Sequence, residues 1–448
     1  MGRLVMSESF YEHIWAHLRA SNKEGFSFLL CQHEGSDAEP VLVARDVIIV
    51  DDRDTDVDGD GFTLTDRVLD KVINRGAASG LSLVEIHKHE FGRPQFSRTD
   101  RAGLLPFAKF VLKSLPNRPY AATVWADNSL YGEWFVEKNG RVSSGIIRSA
   151  CVIGRSLRQV ITEEESVLRP SRRADRQLPL VGLDGQRTLE NLRFAVVGLG
   201  GIGSHVVQTL SYLGAKHYLL IDGDEVEETN LNRLIFATPT DVGLSKVNVA
   251  RRFVRSIIPH AKVETVEGMI GSKGAAQGAL RHADVIIGCV DDDGPRFLLN
   301  RVALSTCIPY FDLATGIILN EKGPVVGGRI AVTLPDGPCL ICTEELDLDE
   351  VRAYFLSDSE RGELVGRGYI NGSADSAPAV GSLNGVITHT AITELALFLA
   401  GVRPPIPRID LEVVGDEQSP GPHLLPRRGA TRKPGCPECA PFKIDRVA

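Results

Sequence analysis

The stretch EIHKHEFGRPQFSRTD, residues 85–100, contains side chains whose types and spacing could bind a metal and use it. Side chains alternate across a β-strand, so His87 and His89 would project from one face and could share an ion. Seven residues separate His89 from Ser97, and Asp100 follows about one helical turn later. A catalytic zinc takes three protein ligands and keeps a fourth position for water. Two histidines and one aspartate would supply that set.

Hydrolysis at such a centre also needs a general base, because the bound water must lose a proton before it attacks a carbonyl. Glu24, in NKEGFSFLL, is the candidate. Ser97 and Asp100 alone also fit a purely structural S-x-x-D helix cap. The complete spacing is far less expected by chance, and it favours a zinc site over a strand that leads into an ordinary capped helix.

A second stretch, VVGLGGIGS, places glycines between a predicted strand and a predicted helix: Gly198, Gly200, Gly201 and Gly203. Backbone amides in such a turn can approach phosphates closely. Asp222 ends the next predicted strand, where a carboxylate accepts ribose hydroxyls. Alone, this is a weak dinucleotide fingerprint that would suggest an NAD oxidoreductase.

The residues after this fingerprint argue against NAD. DGDEVEETNLNRLIF and GLSKVN add candidate nucleotide-binding side chains: Asp224, Asn230, Arg233 and Lys246. Asp291, in CVDDDGPRFLLN, would lie at the C-terminal end of a strand and could hold magnesium. An NAD site needs no such cationic set. A site for a triphosphate and a carboxylate does, because charge develops on the α-phosphate during attack.

Two CxxC pairs, CLIC and CPEC, account for four of the eight cysteines: Cys339, Cys342, Cys436 and Cys439. Four thiolates form a closed tetrahedral set that is typical of structural zinc. With no export signal, such pairs indicate metal rather than disulfides. Cys289 and Cys307 are expected in or beside core strands, where a thiol packs rather than attacks.

These residues need rigid elements to hold them, and 448 residues are too many for one ordinary core. Residues 1–150 mix strand and helix patterns, which predicts an α+β domain. Its elements include the strand LSLVEIHKH, which carries the histidines, and a helix that Gly76 ends. Residues 151–185 are predicted as a linker and a leading helix. In 186–448 buried strands alternate with helices, which predicts a doubly wound, mostly parallel α/β sheet.

Composition limits the partners. The chain is 43% apolar and 24% charged, as in globular proteins, and its net charge of −8 argues against nucleic acid. No apolar run approaches the roughly 18 residues that span a bilayer, and the N-terminus lacks the apolar segment of a signal peptide. A cytoplasmic protein that does not enter membranes is expected.

The spacing His-x-His-x7-Ser-x-x-Asp resembles the signature of the JAB/JAMM (MPN+) metallopeptidases over roughly residues 5–145. The resemblance implies that His87, His89 and Asp100 bind zinc, that Glu24 is the base, and that Ser97 stabilises the tetrahedral intermediate. The family usually has a small hydroxyl residue between the histidines and a proline after them. In this chain Lys88 and Glu90 stand there, which could alter how substrates enter.

The second half resembles the ThiF/MoeB/ubiquitin-activating adenylyltransferases over about residues 170–445. The resemblance implies a Rossmann-like fold that uses ATP and magnesium, with Asp222 on the ribose and Asp291 on the metal. Asn230, Arg233 and Lys246 would contact the phosphates. RRADRQ resembles a family motif whose last arginine, Arg176 in this chain, reaches into the partner subunit's site, which implies a homodimer. The four CxxC cysteines match the family's structural zinc site.

Together the two resemblances imply that one protein trims and activates a ubiquitin-like protein with a C-terminal glycine. The first domain would cleave a precursor or a conjugate, and the second would adenylate the exposed carboxylate. Where thioester-forming relatives carry a cysteine, this chain has INGSADSAPAVGSLNG, so the adenylate is expected to pass to a sulfur donor or to a conjugating enzyme's cysteine. Two alternatives remain open: a sulfur-carrier substrate in cofactor or amino-acid synthesis, and a metal-free first domain that only docks the substrate.

Overall fold

The computed structural model describes residues 2–20, 25–51, 54–58, 61–89, 94–126, 129–161, 171–271, 275–320, 323–356, 360, 380–414, 423–427 and 429–439. The chain folds as two compact units, divided between Arg169 and Pro170. Each unit has its own sheet and core. In the described part of the chain, no helix is long and apolar enough to cross a membrane.

The first unit is built on a closed ring of strands. Among the described residues these are β1 (Gly2–Ser7), β2 (Gly25–Ser36), β3 (Glu39–Ile49), β6 (Ser82–Lys88), β7 (Tyr120–Ala126), β8 (Ser129–Lys138), β9 (Arg141–Ile153) and β10 (Leu157–Ile161). They pair in the order β1-β3-β2-β6-β7-β8-β10-β9, and β1 closes the ring by parallel pairing with β9. A separate two-stranded ribbon joins β4 (Thr55–Asp58) to β5 (Gly61–Leu64). The predicted strand is confirmed as β6, which contains His87; His89 follows directly after the end of the strand rather than lying in it.

Three helices accompany the barrel within the described residues: α1 (Glu8–Ala20), α2 (Asp66–Ser79) and α3 (Arg98–Ser114). Buried side chains of α2 and α3, including Val72 and Val111, pack with barrel residues such as Phe28 and Tyr120. This packing fixes the start of α3 close to the end of β6, so that the two halves of the candidate metal motif meet.

The prediction that Gly76 ends helix α2 is wrong. The helix continues to Ser79, and Gly80 ends it in the left-handed conformation with a φ of 75°. Gly76 is instead a packing position, because a Cβ there would lie 3.0 Å from a methyl of Leu115. A glycine in a helical pattern can serve either purpose, and sequence alone does not distinguish them.

The predicted linker also begins too early. Strand β9 continues to Ile153, and β10 pairs with it antiparallel, from Leu157↔Ile153 to Ile161↔Ser149. In the sequence LRQVI, the polar residues Arg158 and Gln159 conceal the strand. In the structure these two side chains are partly buried, while Leu157 and Val160 face the core. Strand β10 therefore belongs to the barrel, and the first unit extends beyond residue 150.

The second unit contains one sheet of eight strands in the described residues: β11 (Arg193–Val197), β12 (His217–Asp222), β13 (Lys262–Glu267), β14 (Val285–Gly288), β15 (Tyr310–Asn320), β16 (Gly323–Thr333), β17 (Arg408–Val414) and β18 (His423–Pro426). Their order is β13-β12-β11-β14-β15-β16-β17-β18. The first five in this order run parallel, and β16 to β18 add antiparallel pairs. The mostly parallel sheet predicted from the alternation is confirmed.

The described helices of this unit are α4 (Leu178–Asn191), α5 (Gly201–Leu213), α6 (Lys246–Ile257), α7 (Ala275–Leu280), α8 (Asp293–Thr306), α9 (Leu348–Tyr354) and α10 (Gly381–Leu399). From β11 the chain builds outward through β12 to β13, then returns to β14 on the other side. The strand order therefore reverses between β11 and β14. In open α/β sheets, ligands bind at such a switch point, beyond the carboxyl ends of the strands.

Candidate functional site

A pocket of about 350 Å³ opens at this switch point. Nearly all the predicted nucleotide-binding residues line it: Gly198, Gly200, Gly201, Asp222, Asp224, Asn230, Arg233, Lys246 and Asp291. They come from the ends of β11, β12 and β14 and from the loops after these strands. Residues as far apart as 198 and 291 thus face one cavity, as the sequence predicts.

The glycine turn between β11 and α5 shows why small residues are needed there. Gly198 has a φ of 85°, and a Cβ on it would lie 2.7 Å from the carbonyl oxygen of Cys289. Gly203 does not line the pocket, but it packs directly against the turn. A Cβ on Gly203 would lie 2.0 Å from the carbonyl oxygen of Gly198, so no larger residue fits there. Gly200 has no atom within 4 Å of the corresponding position. The turn therefore presents bare backbone to the pocket.

Asp222, the last residue of β12, joins the turn to the next loop. One carboxylate oxygen accepts the Leu199 N–H at 2.6 Å, and the other accepts the Asp224 N–H at 2.8 Å. Burial raises the pKa of Asp222, although these hydrogen bonds and Lys246 oppose the shift. Each oxygen keeps a lone pair, so the group can still accept hydrogen bonds from a ligand's hydroxyls.

The cationic side chains of the pocket are each held by hydrogen bonds to neighbouring residues. Lys246, at the start of α6, is buried, and its Nζ donates to Asp224 at 2.8 Å. Arg233 donates to the Thr229 carbonyl oxygen at 2.7 Å and to the Asn232 side chain at 3.0 Å. The Asn230 carboxamide oxygen accepts the Glu227 N–H at 3.3 Å and shapes the loop. A buried lysine beside a helix N-terminus and a glycine turn makes this end of the pocket suited to anions.

Several residues of the pocket wall were not predicted, among them Arg296 and Asn384. Arg296, five residues after Asp291, is largely buried and donates to Asp293 at 2.8 Å. Its Nε forms an ion pair at 3.6 Å with Asp312, a fully buried carboxylate on β15 that accepts hydrogen bonds from Tyr310 and Arg329. The position of Arg296 in DDDGPRF was the available signal, since a helix starting at the third aspartate brings it back to the strand end.

Another is Asn384 on α10, whose side chain accepts from Thr315 at 2.9 Å. It comes from the far end of the chain, and a Cβ on Gly201 would lie 2.1 Å from its amide nitrogen. Its only sequence signal was a polar residue within a mostly apolar helix. That signal does not identify a partner almost two hundred residues away.

The four CxxC cysteines form a second, separate cluster in this unit. Their Sγ atoms lie 3.7 Å apart for Cys339–Cys342, 3.8 Å for Cys339–Cys436 and 3.6 Å for Cys342–Cys439. Zn–S bonds of about 2.3 Å in a tetrahedron place sulfurs roughly 3.8 Å apart. The spacing thus fits one zinc ion and is too long for the roughly 2.05 Å of a disulfide.

In the first unit, the structure brings His87, His89 and Asp100 together. Their potential ligand atoms all lie within 4.8 Å of one another. The Asp100 carboxylate is 3.0 Å from Nε2 of His89 and 3.8 Å from Nε2 of His87. Ligands around a tetrahedral zinc at about 2.0 Å stand roughly 3.3 Å apart. The donor set and spacing therefore fit such an ion with small adjustments.

Charge within this cluster is strongly coupled. Burial opposes the charged form of His87, but the carboxylates of Asp100 and Glu85 outweigh it and raise the pKa of His87 to about 9. Burial likewise opposes the charged form of Asp100, yet the two histidines hold the pKa of that carboxyl far below its ordinary value. His87, His89 and Asp100 lie so close together that each changes the proton affinity of the others. Such a set of groups is suited to bind one metal cation together.

Ser97 is the N-cap of α3, and both halves of the capping box with Asp100 are present. Its Oγ accepts the Asp100 N–H at 3.1 Å, while the Asp100 carboxylate accepts the Ser97 N–H at 2.7 Å. The structural cap and the metal motif therefore coexist. The Ser97 hydroxyl can still donate its proton. Glu24, the predicted base, lies outside the described residues.

Arg176 lies in the loop before α4, where its side chain is exposed. It is not among the residues that line the nucleotide pocket of its own chain. Neighbouring Gln177 donates to the Gln186 side chain and to the Leu213 carbonyl oxygen, which anchors the loop to the fold.

Residues 173–412, within the second unit, match the ThiF family. SAMP-activating enzyme E1 of Haloferax volcanii is 35% identical over 162 residues, covering 36% of this chain and 57% of that protein. Ubiquitin-like modifier-activating enzyme 5 of Drosophila persimilis is 30% identical over 210 residues, covering 43% and 53%. Adenylyltransferase and sulfurtransferase MOCS3 of Drosophila sechellia is 31% identical over 165 residues, covering 37% and 35%. The chain thus spans 35–57% of the length of these relatives.

Proposed function

The chain belongs to the ThiF family, and from that premise we propose that its second unit uses ATP to adenylate the C-terminal carboxylate of a small ubiquitin-like or sulfur-carrier protein. The relatives are named for activating SAMP or a ubiquitin-like modifier, or as adenylyltransferases. The observation that carries the proposal is one pocket in which a glycine turn, the buried Lys246 and the carboxylate of Asp291 face each other.

In this reaction a carboxylate oxygen bonds to the α-phosphorus of ATP, and the bond from that phosphorus to the departing pyrophosphate breaks. Negative charge spreads over the phosphate oxygens, so donors must already point at them. The backbone N–H groups of Gly200 and Gly201, at the start of α5, would be such donors, with Arg233 and Lys246. Asp222 would accept the ribose hydroxyls, and Asp291 would hold the magnesium that accompanies ATP.

Lys246 is prepared for this role by Asp224. Its Nζ donates to the Asp224 carboxylate. The lysine side chain is only 10% exposed, whereas the aspartate side chain is 61% exposed to solvent. An incoming triphosphate carries more negative charge than one carboxylate. It can therefore replace Asp224 as the ion-pair partner of the Lys246 ammonium group. The lysine is therefore held in place until the nucleotide arrives.

The test is ATP–pyrophosphate exchange by the full chain with a small protein that ends in glycine. Lys246→Ala should lower exchange by on the order of 10²-fold or more, because it removes a charge-stabilising group. Lys262→Ala is the matched control, since its exposed side chain lies at the start of β13, away from the carboxyl ends of the strands. Equal loss in both variants, or exchange without the partner protein, would contradict the proposal.

The two classes of substrate differ in the fate of the adenylate. A sulfur carrier leaves the reaction as a thiocarboxylate once a sulfur donor has attacked the adenylate. A ubiquitin-like modifier passes to a cysteine of another protein. Intact mass after incubation with a persulfide donor and excess thiol distinguishes them. The persulfide displaces AMP to give an acyl disulfide, the thiol cleaves that disulfide to the thiocarboxylate, and replacing one oxygen by sulfur adds about 16 Da.

The four cysteines, buried in a cluster beside α8, would hold a structural zinc. Four sulfurs leave no position for water, so the ion would cross-link the loop after β16 to the C-terminal segment without taking part in catalysis.

For the first unit we propose zinc-dependent cleavage of a peptide or isopeptide bond at the end of the same small protein. The observation that favours it is the cluster of His87, His89 and Asp100. A zinc ion bound there would supply a hydroxide near neutral pH and polarise the scissile carbonyl. Ser97 would donate a hydrogen bond from its hydroxyl to the developing oxyanion, and Glu24 would take the proton of the attacking water.

Elemental analysis of the full chain separates this proposal from a metal-free docking module. The wild type should contain two zinc ions, and His89→Ala should contain one. His13→Ala is the control, because that histidine is exposed on α1 and should leave both ions bound. Glu24→Gln should keep two ions and lose cleavage of a precursor extended beyond its terminal glycine. One zinc in the wild type would refute the peptidase.

A further inference from the structure

Glu85 connects the candidate metal ligand His87 to a buried tyrosine. It lies two residues before His87 on β6, so both side chains are on one face of the strand. One oxygen of its carboxylate is 3.0 Å from Nδ1 of His87. The other accepts the hydroxyl of Tyr120 on β7 at 2.7 Å. The structure therefore contains a continuous hydrogen-bonded path from Tyr120 through Glu85 to His87.

The backbone beneath this path is also fixed. Strands β6 and β7 are parallel neighbours. The Thr123 hydroxyl donates to the Glu85 carbonyl oxygen at 2.8 Å and accepts from the Trp125 indole at 2.9 Å. Tyr120 is fully buried and Glu85 is only 13% exposed at its side chain. Because both side chains are shielded from water, neither can exchange this hydrogen bond for one to solvent.

The path decides which nitrogen of His87 carries a hydrogen. A carboxylate only accepts hydrogen bonds, so Nδ1 must carry the hydrogen that faces Glu85. In the neutral ring the lone pair is then on Nε2. That atom is buried without a hydrogen-bond partner among the described residues, and it faces Asp100 at 3.8 Å. The unpartnered nitrogen thus points to the place that a shared ion would occupy.

We propose that Glu85, held by Tyr120, is a positioning residue that orients His87 and fixes its tautomer for zinc. The inference rests on the metal site proposed above and assigns a role to two residues outside its ligand set. Outer partners of metal-binding histidines typically change metal affinity by about 10- to 100-fold. A purely structural role for the Tyr120–Glu85 hydrogen bond would not affect the metal selectively.

The test measures the zinc Kd of the histidine site by chelator competition in the full chain, with His89→Ala as the blank for the four-cysteine site. Glu85→Gln should raise this Kd by about 10- to 100-fold. Tyr120→Phe should raise it less, because the carboxylate still faces His87. Glu133→Gln is the matched control: within the described residues its partners are Tyr131 and Arg101, so it removes the charge of a second barrel glutamate that accepts a tyrosine hydroxyl.

A second measurement covers the case in which buried substitutions weaken the fold. Long-range ¹H–¹⁵N NMR of the zinc-loaded wild type should show His87 with hydrogen on Nδ1. Hydrogen on Nε2, or an unchanged Kd in folded Glu85→Gln, overturns this inference and leaves the metal site intact. Equal zinc content in the wild type and His89→Ala overturns the metal site itself, and with it the peptidase.

Discussion

Cys289 shows how one residue's surroundings limit the chemistry of the nucleotide pocket. It comes directly after β14 and lines the pocket, so it would be near an adenylate. Burial raises the pKa of its thiol well above the ordinary value, and the carboxylate of Asp312 raises it further. Only a thiolate attacks an acyl-adenylate efficiently. A thioester on Cys289 is therefore not expected, and the activated carboxylate should pass to an acceptor outside this chain.

Alkylation tests this directly. A raised pKa means less thiolate at any given pH, so the rate of Cys289 modification by iodoacetamide should reach half its maximum well above pH 8.5, the ordinary midpoint for cysteine. Peptide mass spectrometry across a pH series measures it, and the urea-unfolded chain is the control. Rapid modification near pH 7 would show an activated thiol, and a thioester would again have to be considered.

At the scale of elements, local patterns predicted what is locally determined. The alternation of strands and helices in the second unit, the glycine turn and the strand for His87 depend on residues close in sequence. Closure of the barrel by β1 against β9 depends on pairing across more than 140 residues, and no local pattern carries it. Strand β10 was missed because it is short and two of its five residues are polar, so that only its pairing with β9 identifies it.

The candidate site divides in the same way. Asp222 is the last residue of a strand and Lys246 is the first residue of the next long helix, so their meeting in one pocket could be predicted from topology. Asn384 reaches the pocket only through the packing of α10 on α5, and Glu85 matters only because Tyr120 lies on the neighbouring strand. Such contacts depend on tertiary packing, which residue spacing does not encode.

Gly200, the N-cap of α5, and Gly203, in its first turn, should respond differently to replacement by alanine. Gly203→Ala forces a methyl group to within 2.0 Å of the Gly198 carbonyl oxygen, so it should destabilise the β11–α5 turn by about 1–3 kcal/mol. Gly200→Ala has space for its Cβ and should cost less than about 1 kcal/mol, yet weaken ATP binding. Hydrogen exchange of this segment and ATP titration measure the two effects. Equal protection in both variants would contradict the packing argument.

At the scale of the whole molecule, the position of Arg176 bears on whether the adenylation site is formed by one chain or by two. The pocket contains Arg233, Arg296 and Lys246, but not Arg176, whose exposed side chain lies before α4. If Arg176 acts in catalysis, as the resemblance of RRADRQ implies, it must do so in a second copy of the chain. A symmetric dimer would then contain two composite sites.

Mixing two inactive variants tests this arrangement. Arg176→Ala and Asp291→Ala should each lose pyrophosphate exchange. After random reassociation about half of the dimers are mixed, and each mixed dimer has one site with both residues intact, so about a quarter of the wild-type activity should return. Mixing Asp291→Ala with Lys246→Ala is the control: both residues line the same pocket, and a mixed dimer therefore contains no complete site. If mixed dimers verified by native mass spectrometry stay inactive, Arg176 does not act across a dimer, and each pocket must work with the residues of its own chain.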